Sequence, residues 1–127
     1  MVMLESLKES NHFKKVLKQK RVHSEFFSIF AAKNFYKPKY KTNLLISFVI
    51  KKKIGNAVKR NKIKRKLKAI VHKLLKKRGA ISRDYTYIVF GKPNAYIEKQ
   101  SVLMAQMLES FKKLIKWLKK LYYLIFI

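Results

Sequence analysis

The sequence predicts an α+β fold, a two-layer sandwich in which three helices pack on one mixed sheet of about four strands. Three observations carry this. "LLISFVI", Leu44 to Ile50, is a near-continuous apolar run of strand length, rich in β-branched and aromatic residues. "DYTYIVFGKP", Asp84 to Pro93, is a second such run, stopped by Gly91 and Pro93. Between them, Ile63, Leu67, Ile70, Val71, Leu74 and Leu75 recur at intervals of three and four, the apolar stripe of a helix that docks on a sheet. The chain has 127 residues, 49% hydrophobic and 13% aromatic, which suits one domain with a modest core and is too apolar for a disordered basic tail.

Taken in order, Ser10-Asn11 can cap a short helix running to about Lys20, with Phe13, Val16 and Leu17 on one face. "SEFFSIFAAK" from Ser24 reads as a strand, and "NFYKPKYKTN" as a loop, because Pro38 forbids regular pairing. The strand at Leu44 follows, and Lys51 to Lys53 end it. Gly55 permits a tight turn and Asn56 can cap the long helix that opens there. The strand at Asp84 and a last helix from about Tyr96 to Lys120 complete the order α-β-β-α-β-α, with room for one more short strand. Residues 1–120 form the expected domain, and "LYYLIFI", Leu121 to Ile127, an apolar tail.

Charge narrows the function. The chain carries 32 Lys and Arg against 6 Asp and Glu, a formal charge of +26, and Phe26 to Arg83 contains no acid. Such a field attracts polyanions and strains the compact state by self-repulsion, so it calls for nucleic acid or, less well, an anionic membrane. Lys51 to Lys68 holds ten Lys or Arg in eighteen positions. A solvated helix would place Glu four residues from its lysines; here Lys59, Arg60, Lys62, Lys64, Arg65, Lys66 and Lys68 have none. Phosphates supply the missing counter-charge. Backbone N–H groups at the helix start could hold one phosphate, and Arg60 and Arg65 offer bidentate forks for others. Asn61, with both a donor and an acceptor, suits either a hydrogen bond to RNA or a brace of the local turn.

Other classes fail on inventory. Without cysteine there is no disulfide framework or thiolate metal site, as suits a reducing compartment such as the cytoplasm. The start "MVMLESLKES" lacks the basic opening and apolar run of a signal peptide. The seven apolar residues of the tail cannot span a bilayer, which takes about 20 in a helix. That leaves them to local packing or to contact with a membrane surface. A metal-dependent nuclease needs clustered carboxylates, and the six acids here are scattered. His12, His23 and His72 show no acid partner in the sequence. A ribosomal or histone-like binder explains the charge equally well.

One segment is more specific. "KKIGNAVKRNKIKR", Lys52 to Arg65, resembles the signature of the protein subunit of bacterial ribonuclease P, whose core reads Arg-Asn-Arg then Ile-Lys-Arg. Arg60-Asn61-Lys62 and Ile63-Lys64-Arg65 match it with one Arg-to-Lys change. "HFKKVLKQ", "FSIF" and "DYTYIVFGKP" resemble the family's first helix, first long strand and later strand, in the right order, so that the likeness spans roughly residues 5–118. The resemblance implies an α/β sandwich with an unusual left-handed crossover, of the kind found in a ribosomal-protein domain. It also implies a protein that does not cut RNA itself. A catalytic RNA, using Mg2+, removes the 5′ leader of precursor tRNA, while the protein binds that RNA and the leader, with no other protein partner.

Carried over residue by residue, the run Arg60 to Arg65 and Lys68 face the catalytic RNA. Lys52, Lys53 and Asn56 belong to the same signature, and Lys51 stands where the family usually has Ser. Phe13 and Phe30 match aromatic positions of the family's leader-binding cleft; Leu17 sits where an aromatic is common. Aromatic rings can stack leader bases. A core role for Phe13 and Phe30 is the other reading, and it stays open here.

Overall fold

The structure, a computed structural model, describes residues 3–126. Five strands form one mixed sheet: β1 (Leu4–Glu5), β2 (Lys20–His23), β3 (Phe27–Lys33), β4 (Leu44–Val49) and β5 (Tyr85–Gly91). Three helices accompany them: α1 (Ser10–Leu17), α2 (Ala57–Leu75) and α3 (Gln100–Phe126). The strand order is β1-β4-β5-β3-β2. β5 lies between β4, to which it is parallel, and β3, to which it is antiparallel. α2 is therefore the crossover of a βαβ unit whose strands are immediate neighbours.

Alternation along the strands separates two faces. Ile29, Ala31, Leu44, Ile46, Tyr87 and Val89 face α2 and α3 and form the main core with Ile63, Leu67, Ile70, Leu74, Leu103, Met107 and Phe111. The six-residue stripe expected on α2 behaves as expected: five of its members are buried and Leu75 packs at the margin. On the opposite face Ala32 and Ile88 meet Leu7 and Val16, so α1 covers one part of that side of the sheet and leaves the rest open.

Several boundaries differ from expectation, each for a local reason. The first helix stops at Leu17, and Lys20 to His23 pair with Ala31 to Ser28 as an edge strand. Its cap position is Glu9, not Ser10-Asn11; the Glu9 carbonyl accepts from the N–H of His12 at 3.1 Å and of Phe13 at 3.3 Å. β4 ends at Val49, and Lys52–Ile54 form a 3-10 turn. Gly55 is extended rather than left-handed; what its missing Cβ provides is room, because a methyl there would lie 2.7 Å from Lys59 Cδ. Pro93–Tyr96 is a second 3-10 turn, so α3 starts at Gln100 and not at Tyr96. At its other end α3 continues through Phe126, so the backbone of the apolar tail extends this helix; Leu124 is exposed. The packing of the other tail side chains and the position of Ile127 lie outside the described residues. Among the described residues no helix is long and apolar enough to cross a membrane.

Candidate nucleic-acid interface

Asn56 caps α2 as the sequence suggests: its Oδ1 accepts from the N–H of Lys59 at 2.9 Å. No acidic residue enters the first turn, so the positive end of the helix dipole is uncompensated by the protein. Asn61, Lys62 and Arg65 are exposed on the face opposite the core stripe, with Lys64 and Lys68 half-buried beside them. Among the described residues Lys113 pairs with Glu109 at 3.8 Å, and His12 Nε2 lies 3.2 Å from the Glu9 carboxylate, neither contact involving α2. The basic helix therefore has no carboxylate partner within ion-pair distance among the described residues. His12, in contrast, does pair with an acid, one turn away.

Not every cation on α2 is free for phosphate. Lys66 turns inward: its Nζ donates to the carbonyls of Ala95 at 2.8 Å, Tyr96 at 3.1 Å and Glu98 at 2.6 Å. All three ammonium protons are used, so Lys66 leaves the expected RNA-facing set. Its bonds close the turn between β5 and α3 against α2. Burial and the charge of Lys62 hold its pKa below the ordinary lysine value, with Glu98 opposing. Arg60 keeps a fork for a ligand but spends Nε on the Gly55 carbonyl at 3.2 Å, which fixes the guanidinium beside the helix start. Lys59 and Lys62 both stand over the Tyr96 ring, at 5.2 and 4.5 Å. Lys68 lies 5.9 Å from the Phe48 ring.

On the sheet face opposite α2, in the part that α1 leaves uncovered, runs a groove of about 610 Å3, which meets the basic segment at Lys51, Lys53 and Ile54 just ahead of α2. Phe30 and Phe90 belong to its lining, edge to face at 5.5 Å. Leu17 at the end of α1 belongs to the lining, as do Lys51, just ahead of the 3-10 turn, and Lys53 and Ile54 within it. Lys51 Nζ lies 5.9 Å from the Phe90 ring. Lys51 and Lys53 thus stand at the lip of the groove, whereas the exposed Lys52 is not among its lining residues. Lys92 also lines it, but its Nζ donates to the Ser24 carbonyl at 2.5 Å.

The structure brings two of the three expected cleft residues together, Leu17 and Phe30. Phe13 does not line this groove; it is half-buried against the cluster of Leu7, Val16, Ala32 and Ile88, where the first turns of α1 meet the sheet. Phe30 and Phe90 pack against the same cluster, so Phe13 differs from them in lying outside the lining of the groove. Sequence reasoning passed over Phe90, His23 and Ser28. A signal existed for Phe90: period-two alternation places it on the face of Ile88, opposite Val89 and Tyr87. Among the described residues no group of three or more His, Asp or Glu side chains comes together in a way that could hold a metal ion.

A single mixed sheet, a lysine-rich helix without carboxylate partners among the described residues and an aromatic groove on the sheet's other face define a basic nucleic-acid-binding protein. A family model described as Ribonuclease P matches residues 1–121. The chain belongs to the ribonuclease P protein family. It is 30% identical over 115 residues to the ribonuclease P protein component of Mycoplasma mycoides subsp. mycoides, covering 91% of this chain and 94% of that protein. Its fold matches the ribonuclease P protein of Thermotoga maritima with a TM-score of 0.67 at 22% identity, over 86% of this chain and 96% of that one. The Staphylococcus aureus ribonuclease P protein matches with a TM-score of 0.57 at 25% identity, over 90% and 94%.

Proposed function

We propose that this chain, as the protein component of ribonuclease P, binds the catalytic RNA through the outer face of α2 and the 5′ leader of precursor tRNA through the groove. The observation that carries this is the pairing of two chemically different surfaces on one small domain. The α2 face offers Arg60, Lys62, Lys64, Arg65 and Lys68 with no acid among them, which suits phosphates of a folded RNA. The groove offers Phe30 and Phe90 as ring surfaces and Lys51 and Lys53 as cations at its lip, which suits unpaired nucleotides with stacked bases and a backbone in reach of charge.

Catalysis belongs to the RNA in this reading. The six acids are scattered along the sequence and form no carboxylate cluster among the described residues, which supports this division. The Mg2+ that the reaction uses is then held by the RNA, and the protein contributes affinity and register for the substrate. Such an assembly works in the cytoplasm, where precursor tRNA is made. Reconstitution with a ribonuclease P RNA tests the whole: the protein is expected to lower the magnesium needed to cleave precursor tRNA. Cleavage by the protein without RNA, surviving removal of contaminants, would overturn the division of labour.

A further inference from the structure

The groove contains a polar pair that the stacking and charge roles leave unused. His23, near the end of the edge strand β2, is the register partner of Ser28 on β3, and Ser28 is in turn the partner of Phe90 on β5. The three side chains stand in one row across the sheet, with Phe30 two residues further along β3 and on the same face. His23 Nδ1 and Ser28 Oγ lie 2.5 Å apart, and the imidazole meets the Phe30 ring edge-on at 6.4 Å. Among the groove's lining residues, His23 and Ser28 are the ones with neutral hydrogen-bonding side chains; the others are apolar, backbone-only or lysine.

His23 is exposed at the end of its edge strand, and Ser28 anchors it. Ser28 is buried, and the turn joining β2 to β3 is tied by Ser24, whose N–H donates to the Phe27 carbonyl at 2.8 Å and whose Oγ accepts from the N–H of Phe26 at 3.2 Å. Lys92, just beyond β5, clamps the same turn through the Ser24 carbonyl. Partial burial, with the charges of Arg21 and Lys92, pushes the His23 pKa below the ordinary histidine value, which favours the neutral ring near pH 7. A neutral imidazole with Nδ1 engaged leaves Nε2 for a ligand. If Ser28 donates, Nε2–H donates to a base carbonyl; if Nδ1–H donates, Nε2 accepts from a base N–H.

We infer that His23, oriented by Ser28, reads the edge of one unpaired leader base while Phe30 or Phe90 carries its face. Stacking alone accepts every base, because each has a π surface. A fixed hydrogen-bonding group beside the stack adds a preference. His23 is then a specificity-determining residue and Ser28 a positioning residue. This rests on the groove holding the leader.

The test uses the reconstituted protein–RNA holoenzyme and precursor tRNAs that differ at single leader positions, all four bases at each. With the native chain, one leader position should discriminate among bases by about 3–10-fold in affinity, the worth of one net hydrogen bond. His23→Ala should flatten that preference to within about twofold, and Ser28→Ala should weaken it while the thermal midpoint stays near that of the native chain. Phe30→Leu should reduce the precursor-over-mature affinity ratio for all four bases alike. If Phe30→Leu does so while His23→Ala keeps the native preference, or if the native chain shows no preference, the inference about His23 is wrong and the leader groove stands. If neither variant alters the precursor-over-mature ratio, the groove does not hold the leader, and both readings fall.

Discussion

Replacing Lys66 with methionine separates structural from RNA-binding cations. Methionine keeps much of the aliphatic stem and removes the ammonium, leaving the carbonyls of Ala95, Tyr96 and Glu98 without their donor. A hydrogen bond to a charged group contributes about 1.5–3 kcal/mol when well buried. Lys66 is only half-buried and water can replace part of each bond, so about 1 kcal/mol apiece is the better figure. The variant should lose about 3 kcal/mol of stability. For a chain of 127 residues, with an unfolding entropy of about 0.27 kcal/mol per kelvin, that lowers the melting temperature by about 10 °C. Differential scanning calorimetry reads the midpoint, and binding of catalytic RNA at several salt concentrations reads the number of phosphate contacts. Lys66→Met should melt early with an unchanged salt slope. Arg65→Ala should melt normally, bind RNA about 1–3 kcal/mol more weakly and lose about one unit of slope. A Lys66→Met protein that keeps its midpoint and loses a unit of slope would show that the ammonium leaves its carbonyls for phosphate, and the reasoning would fail.

Three further outcomes are expected. Phe13→Ala should lower the melting temperature and damage RNA and tRNA binding together, because Phe13 packs against Leu7, Val16, Ala32 and Ile88; a selective loss for precursor tRNA would return it to the leader groove. Gly91→Ala should cost about 1–3 kcal/mol in a urea titration, since its new Cβ would meet the side chain of Ile50 and lie 2.8 Å from Ile63 Cγ2, forcing α2 off the sheet. At low ionic strength the free protein, with +26 charges, should gain helix by circular dichroism as sulfate is added, and full helicity in salt-free buffer would contradict this.

What the sequence made legible was set by periodicity and local chemistry. The α2 stripe repeats over more than three turns and lies between two apolar strands in sequence, so its burial and even its capping residue, Asn56, could be read directly. β2 could not. Lys20, Arg21 and His23 leave Val22 as its single apolar residue, and the segment is a strand because β3 offers it an edge. β1 has two residues and exists only through Leu44 and Leu45 forty positions away. The groove follows the same division. Phe30 and Leu17 sit in recognisable local motifs, whereas His23, Ser28 and Phe90 meet through cross-strand register, a tertiary fact. Lys66 misled for a related reason. Helical spacing made it look like its neighbours, and only the return of residues 93–98 over α2 gives its ammonium three acceptors.

The strand order sets a timetable for synthesis. β5, which occupies the centre of the sheet between β4 and β3, is made after every other strand. While the ribosome is still translating α2, β3 and β4 have no partner between them, and each presents an unpaired edge of backbone. The main core, which needs α3, waits longer still. Pairing across such distances along the chain is intrinsically slow. The nascent chain therefore carries its most cationic stretch into the open before it has a fold to display it, next to a ribosome built largely of RNA. A foldable chain of this topology has to finish its last third before its first two thirds acquire a shape, and any pause in translation before Tyr85 would prolong an adhesive, half-assembled state.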